Sequence, residues 1–304
     1  MHQIYSAVFE PGFFTSPQIR TAAAIGAVVA IVSAVTGVFT VMRGQSFGGH
    51  ALGDVAAAGG SGALLAGLSP VAGFVGLDIV GAGVMDMIGV RRLRGRDLAT
   101  GIVLGTAIGL SALFLYLTTT TSATTGATQQ ILFGSIYVTT TGTIPVVAGL
   151  GAVALGSLAA VSRPLLLDTV SSDIAAARGI PVRAVGLTYM LALAVSVGLS
   201  SLAIGAILST ALLIGPAATA LRLTTRLGRA LSLACLIGVA ATWVGLLLAW
   251  DSYYWGSSHQ NLPVSFFIVA IIFVGYLASG LRRLRRASEA PRTPQERTCL
   301  PRAS

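Results

Sequence analysis

Two ionisable side chains, His50 and Asp54, stand four residues apart in Gln45-Ser46-Phe47-Gly48-Gly49-His50-Ala51-Leu52-Gly53-Asp54. In a helix this spacing puts both on one face, one turn apart, and Ser46 is placed to N-cap that helix. An imidazole beside a carboxylate offers one nitrogen and one oxygen donor, half of a site for a divalent transition metal. The same two residues also make a self-satisfied His–Asp pair that closes a helix contact, and their types alone leave both readings open. Asp78 is the third candidate, in Val75-Gly76-Leu77-Asp78-Ile79-Val80. A carboxylate inside an apolar run is costly and marks function by default. It either faces a translocation path or pairs with a Ser, a Thr or a backbone group of a neighbouring helix.

A second constellation lies at Arg163-Pro164-Leu165-Leu166-Leu167-Asp168-Thr169-Val170-Ser171-Ser172-Asp173-Ile174-Ala175-Ala176-Ala177-Arg178-Gly179-Ile180-Pro181. Ser171 or Ser172 caps a short helix with Asp173 in its first turn. Arg178 sits in the last turn, Gly179 ends it and Pro181 lies just beyond. Such a helix either docks into a groove on a partner or is an ordinary connection lying on a membrane.

The surrounding sequence fixes what must hold these residues. Of 304 residues, 54% are hydrophobic and 10% are charged, against about 25% charged in a typical soluble domain. Too few polar side chains remain to cover a soluble globule or to keep the chain disordered. The chain is therefore an all-α, polytopic membrane helix bundle. A membrane helix needs about 20 apolar residues, and the uncharged runs fall at 21–42, 51–69, 70–90, 98–117, 144–161, 184–200, 203–221, 230–250 and 263–281. The second of these is the weakest, so the bundle has eight or nine spans. The domain plan is an interfacial lead-in at 1–20, a membrane domain at 21–281 and a disordered cytoplasmic tail at 282–304. Segment 118–130, rich in Thr, Ser and Ala, reads as a polar outer loop. Gly101, Gly105 and Gly109 read as a helix-packing stripe.

All 19 basic residues are Arg. Without Lys the chain holds no P-loop and no Schiff-base lysine. Cys235 and Cys299 have no metal-ligand spacing. Fourteen Arg fall in four clusters, at 91–96, 163–183, 222–229 and 282–286, while 118–143 and 251–262 have none. The positive-inside rule puts the clusters and the C-terminus in the cytoplasm. Nine spans then put the N-terminus outside, and eight put it inside.

Four ordered segments together resemble the permease subunits of bacterial ABC-type zinc/manganese/iron importers. Met42–Asp54 is similar to R-x-M-S-F-x-G-D-A-x-S-H-A, and Asp97–Ile102 to D-T-A-I-G-I. Ile131–Ile136 is similar to L-L-F-G-x-I. Asp173–Pro181 is followed by Gly205–Leu208 and by Leu212–Ala220, which resembles A-L-L-I-x-P-A-A-T-A. The likeness runs from about residue 20 to 281. It departs at the metal pair, where the family has Asp first and His four residues later, and at Ala58, which stands where the family has Pro. The exchanged pair still offers one imidazole and one carboxylate. Asp78 is outside the family pattern.

The resemblance implies a transport subunit that is not itself an enzyme, in the bacterial cytoplasmic membrane. Its implied partners are a second permease protomer, a cytoplasmic pair of ATP-binding subunits and an extracytoplasmic metal-binding protein. Membrane lipid surrounds it, and no nucleic acid is expected. It implies Zn²⁺ or Mn²⁺ as cargo, with Fe²⁺ a further candidate, and no permanently bound cofactor. His50 and Asp54 become metal contacts, with Asp78 as an added ligand or an independent feature. Segment 169–181 becomes the ATPase coupling region, with Ser172, Asp173, Ala176, Arg178 and Gly179 on it. Two alternatives stand beside it: a proton-driven secondary transporter using Asp54 and Asp78 as carriers, and an ABC permease for a metal chelate.

Overall fold

A computed structural model describes residues 16–88, 96–121, 126–134, 136, 141–252 and 262–289. Its long helices are α1 (Pro17–Met42), α2 (Ser46–Leu65), α3 (Pro70–Ile88), α4 (Arg96–Thr121), α6 (Ile144–Val170), α8 (Val182–Ile204), α9 (Ala206–Leu223), α10 (Leu227–Asp251) and α11 (Val264–Glu289). Between them sit two short helices, α5 (Ala127–Phe133) and α7 (Ser172–Ala177), and a 3₁₀ turn at Thr141–Thr143. No strand occurs among the described residues. Hydrocarbon offers no partner for backbone polar groups, so a chain this apolar satisfies them within helices. Prolines mark helix starts where a missing N–H costs little: Pro17 and Pro70 open α1 and α3, and Pro145 is the second residue of α6.

Eight of the long helices are apolar enough to cross a membrane, and α2 is the one that is not. The physical reason is its setting. Thirteen of the 20 residues of α2 are buried, and most of these are Gly or Ala. A helix enclosed by protein needs small side chains more than apolar ones. Helix α2 packs on α3 and α4 and touches α8 and α9. At the α2–α3 contact, a Cβ at Gly59 would lie 2.1 Å from the Gly73 carbonyl oxygen. Only glycine permits that approach. The centre of the bundle is α8, which is buried almost without interruption from Tyr189 to Ile204.

Several expectations are corrected. The lead-in does not reach residue 20, because α1 starts at Pro17; residues 1–15 lie outside the described residues. The threonine run is not a loop at its start: α4 continues to Thr121. The hydroxyls of Thr118–Thr121 bond back to carbonyls three or four residues earlier, so they need no water. Helix α6 runs nine residues past the expected end at 161, through Pro164 to Val170, because Leu165 is fully buried there. The tail is helical as far as Glu289, and 290–304 lie outside the described residues. Among the described residues, a Cβ at Gly101, Gly105 or Gly109 would meet no neighbour within 4 Å. Glycines that do admit close approach of another helix's backbone include Gly37, Gly59 and Gly73.

Candidate functional site

Helix α2 begins at Ser46 after a three-residue link, and Gln45 occupies the N-cap without a side-chain bond. Ser46 is therefore the first helical residue and not the cap. From there His50 and Asp54 fall on one face. The imidazole Nε2 stands 3.9 Å from Asp54 Oδ2. That is too long for a direct hydrogen bond. It is near the spacing of about 3.3 Å that two ligands of one tetrahedral zinc adopt at bonds of about 2.0–2.1 Å. The other ring nitrogen, Nδ1, is 3.1 Å from Thr210 Oγ1 on α9. With Nδ1–H donating to that hydroxyl, Nε2 keeps its lone pair on the Asp54 side, the arrangement that orients a metal-binding histidine.

The His50 side chain is 45% exposed and that of Asp54 18%. Asp54 Oδ2 accepts no hydrogen bond. The self-satisfied pair that the sequence left open is thus not formed in the observed geometry. Two donors are held side by side and neither is consumed by the other.

Asp78 lies on α3, fully buried, and neither of its oxygens has a hydrogen-bond partner. It faces the α2 side, where Gly59 meets Leu77 and Gly81 meets Val55. It does not join the pair: among the described residues no three His, Cys, Asp or Glu side chains form a metal-holding group. One chain supplies two donors and a carboxylate behind them.

Thr210 is the residue of this candidate site that sequence reading missed. The signal was present as the polar pair Ser209-Thr210 near the start of a mostly apolar helix. The α2–α9 contact is close here, since a Cβ at Gly53 would sit 3.0 Å from Ser209 Oγ. Helix α9 is positioned by a sharp break at Gly205, whose φ of +89° and 2.2 Å Cβ distance to the Leu132 oxygen exclude other residues. Gly134 packs reciprocally against Ala203 and Gly205.

Segment 169–181 is built as a closed unit. Ser171 is the N-cap, its Oγ accepting from Ile174 N at 3.4 Å, and Asp173 lies in the first turn. Arg178 is the C-cap, and Gly179 follows in the left-handed region at φ +76°. Gly179 N donates to the Ala176 carbonyl and Ile180 N to that of Ala175, the paired bonds of a Schellman end. Ala175 is buried against the bundle, whereas Ser172, Asp173, Ala176, Arg178 and Gly179 are all exposed. Val170 and Ile174 are also exposed, giving this end an apolar outer surface.

Comparison with known proteins agrees with this architecture. A profile of the ABC 3 transport family matches residues 15–280. The manganese transport system membrane protein MntC of Halalkalibacterium halodurans is 31% identical over 199 residues, covering 66% of this chain and 67% of that protein. PsaBC from Streptococcus pneumoniae, solved in complex with a Fab, superposes with a TM-score of 0.74 at 24% identity, covering 88% of this chain and 92% of that one. An inward-facing transporter described as of the metal-chelate ABC type gives 0.68 at 18% identity, covering 89% and 88%.

Proposed function

The chain belongs to the ABC 3 transport family, and from that premise we propose that it is the membrane subunit of an importer that carries manganese or zinc into the cytoplasm. The observation that carries the reading is the half-site: His50 Nε2 and Asp54 Oδ2 at 3.9 Å, with Nδ1 engaged by Thr210. Two protomers facing each other supply two imidazoles and two carboxylates. This set binds a divalent ion without thiolates. Cargo must also leave, and a site shared between two chains opens when they separate. ATP is hydrolysed by separate cytoplasmic subunits seated on the exposed face of α7, and the arginine-bearing helix ends are the cytoplasmic ends. Manganese is the first cargo to test, because a relative at 31% identity is a manganese transport protein.

Replacing both His50 and Asp54 by Ala is expected to abolish manganese-dependent growth and ⁵⁴Mn²⁺ uptake while the protein still inserts in the membrane. Wild-type uptake in that variant overturns the proposal. The fold likeness to a transporter of the metal-chelate type favours a second reading, in which a chelate and not the bare ion is carried. Uptake of free ⁵⁴Mn²⁺ or ⁶⁵Zn²⁺ in chelator-free medium rules it out. Uptake that survives ATP depletion but collapses with an uncoupler points instead to a proton-driven carrier, with Asp54 and Asp78 as its acids.

A further inference from the structure

A densely connected polar group lies at the far end of α1, away from His50 and Asp54. Arg43, the C-cap of that helix, places Nη1 2.8 Å from Asp168 Oδ2 on α6. The same nitrogen donates to Thr169 Oγ1 at 3.2 Å and to the Leu165 carbonyl at 3.4 Å. The guanidinium stands over the Tyr189 ring of α8 at 5.1 Å. Tyr189 is fully buried, and its hydroxyl donates to Thr40 Oγ1 on α1 at 3.0 Å. Three helices therefore meet at one node. The side chains of the ion pair are only 12% and 5% exposed.

The addresses of the two charges give the node its meaning. Arg43 is followed by Gly44 in the left-handed conformation, then by Gln45, and α2 starts at Ser46. His50 is seven residues from Arg43. Asp168 lies in the last turn of α6, three residues before Ser171, the cap of the exposed helix α7. Both links are too short to hold slack. A shift of α7 reaches the base of α2 through one ion pair and two rigid helix ends. A buried ion pair adds little net stability against an apolar replacement, and its best-attested use is to fix one arrangement of packed elements.

Resting on the reading of α7 as the ATPase-facing segment, we propose that Arg43 and Asp168 form the link that transmits movement of α7 to the His50–Asp54 half-site. Both are positioning residues; neither contacts the cargo. When the ion pair holds, α7 and the foot of α2 move as one body. When it is lost, hydrolysis continues but the half-site no longer follows it.

The test uses the full complex, the permease with its ATP-binding subunits and metal-binding protein in proteoliposomes. It measures ⁵⁴Mn²⁺ uptake and ATP hydrolysis together, with Mn²⁺ titration of the detergent-solubilised permease beside them. Arg43→Gln and Asp168→Asn are each expected to lower Mn²⁺ delivered per ATP about tenfold, inside the range of roughly 5–150-fold typical of coupling between two sites. Mn²⁺ affinity stays at the wild-type value. The charge-reversed double variant R43D/D168R recovers most of the ratio, and R43K, which keeps the charge but not the planar fork, falls between. The ratio does not depend on how much protein folds, so poor yield of one variant leaves the test valid. Uptake and hydrolysis falling in proportion, at an unchanged ratio, overturn the link and leave the pair a structural tie. A wild-type complex that moves Mn²⁺ without hydrolysing ATP overturns the importer reading beneath it, which is a separate failure.

Discussion

Charge is handled in opposite ways at two places joined by the short turn between α1 and α2. Along α2 and α3, Asp54 Oδ2 and both oxygens of Asp78 are without hydrogen-bond partners, and His50 stops short of Asp54. At Arg43, one guanidinium nitrogen meets a carboxylate, a hydroxyl and a carbonyl, with an aromatic face above. A protein interior tolerates unpartnered acids only where something else supplies the compensation. On the proposed function, the contrast separates a region prepared for a visiting cation from one where the protein's own cation is already paired with a carboxylate.

The same substitution at the two places should therefore act with opposite sign. Asp168→Asn leaves the Arg43 charge buried without a counter-charge, and removing one partner of such a pair costs about 3–5 kcal/mol. Asp78→Asn removes an acid with no bond to lose, so it should leave thermal stability unchanged or raise it. Thermal unfolding of the two variants in one detergent reads the comparison directly. Equal destabilisation at both sites breaks it.

The next effect in size is at Thr210. Thr210→Val keeps the shape of the side chain but removes the hydroxyl that holds His50 Nδ1. Loss of such a supporting hydrogen bond typically weakens metal binding about 10–100-fold. Mn²⁺ titration of the purified variant measures it, and an unchanged affinity shows that the hydroxyl does not orient the ring. Protein stability should change little, which distinguishes this loss from that at Asp168.

What was legible in the sequence follows the same division. Span positions are legible because hydrocarbon demands long apolar runs whatever the tertiary arrangement. His50 and Asp54 are legible because their relation is local, one helical turn. Thr210 is not, since it reaches His50 across 160 residues of chain, and only packing brings α9 to α2. For the same reason Arg43 reads as a flank of the first span and Asp168 as part of a loop, although they form one ion pair. The threonines of 118–121 mislead for a different reason: a hydroxyl-rich run resembles a loop until its own helix supplies the acceptors. Helix α2 is faint in hydropathy because it is enclosed, so the weakest span in the sequence is the one that carries His50 and Asp54.

The smallest expected effect tests whether the exposed helix α7 behaves as a rigid body, as the link through Asp168 requires. Only Ala175 of that helix is buried, so packing does little to hold it. Its shape depends on the Ser171 cap at the start and the Gly179 and Ile180 backbone bonds at the end. The cap bond is long at 3.4 Å, so Ser171→Ala should cost near the lower end of the usual range of about 0.5–2 kcal/mol. Amide exchange at Ile174, the donor to the cap, should quicken several-fold, while the amides closing the helix at Gly179 and Ile180 change less. Thermal stability of the whole protein should fall by no more than this small cost, because the Arg43–Asp168 pair lies outside the capped turn. If uptake per ATP nevertheless falls as far as in Asp168→Asn, then the rigidity of α7 and not the ion pair limits transmission, and the two regions are coupled through the backbone of 169–171.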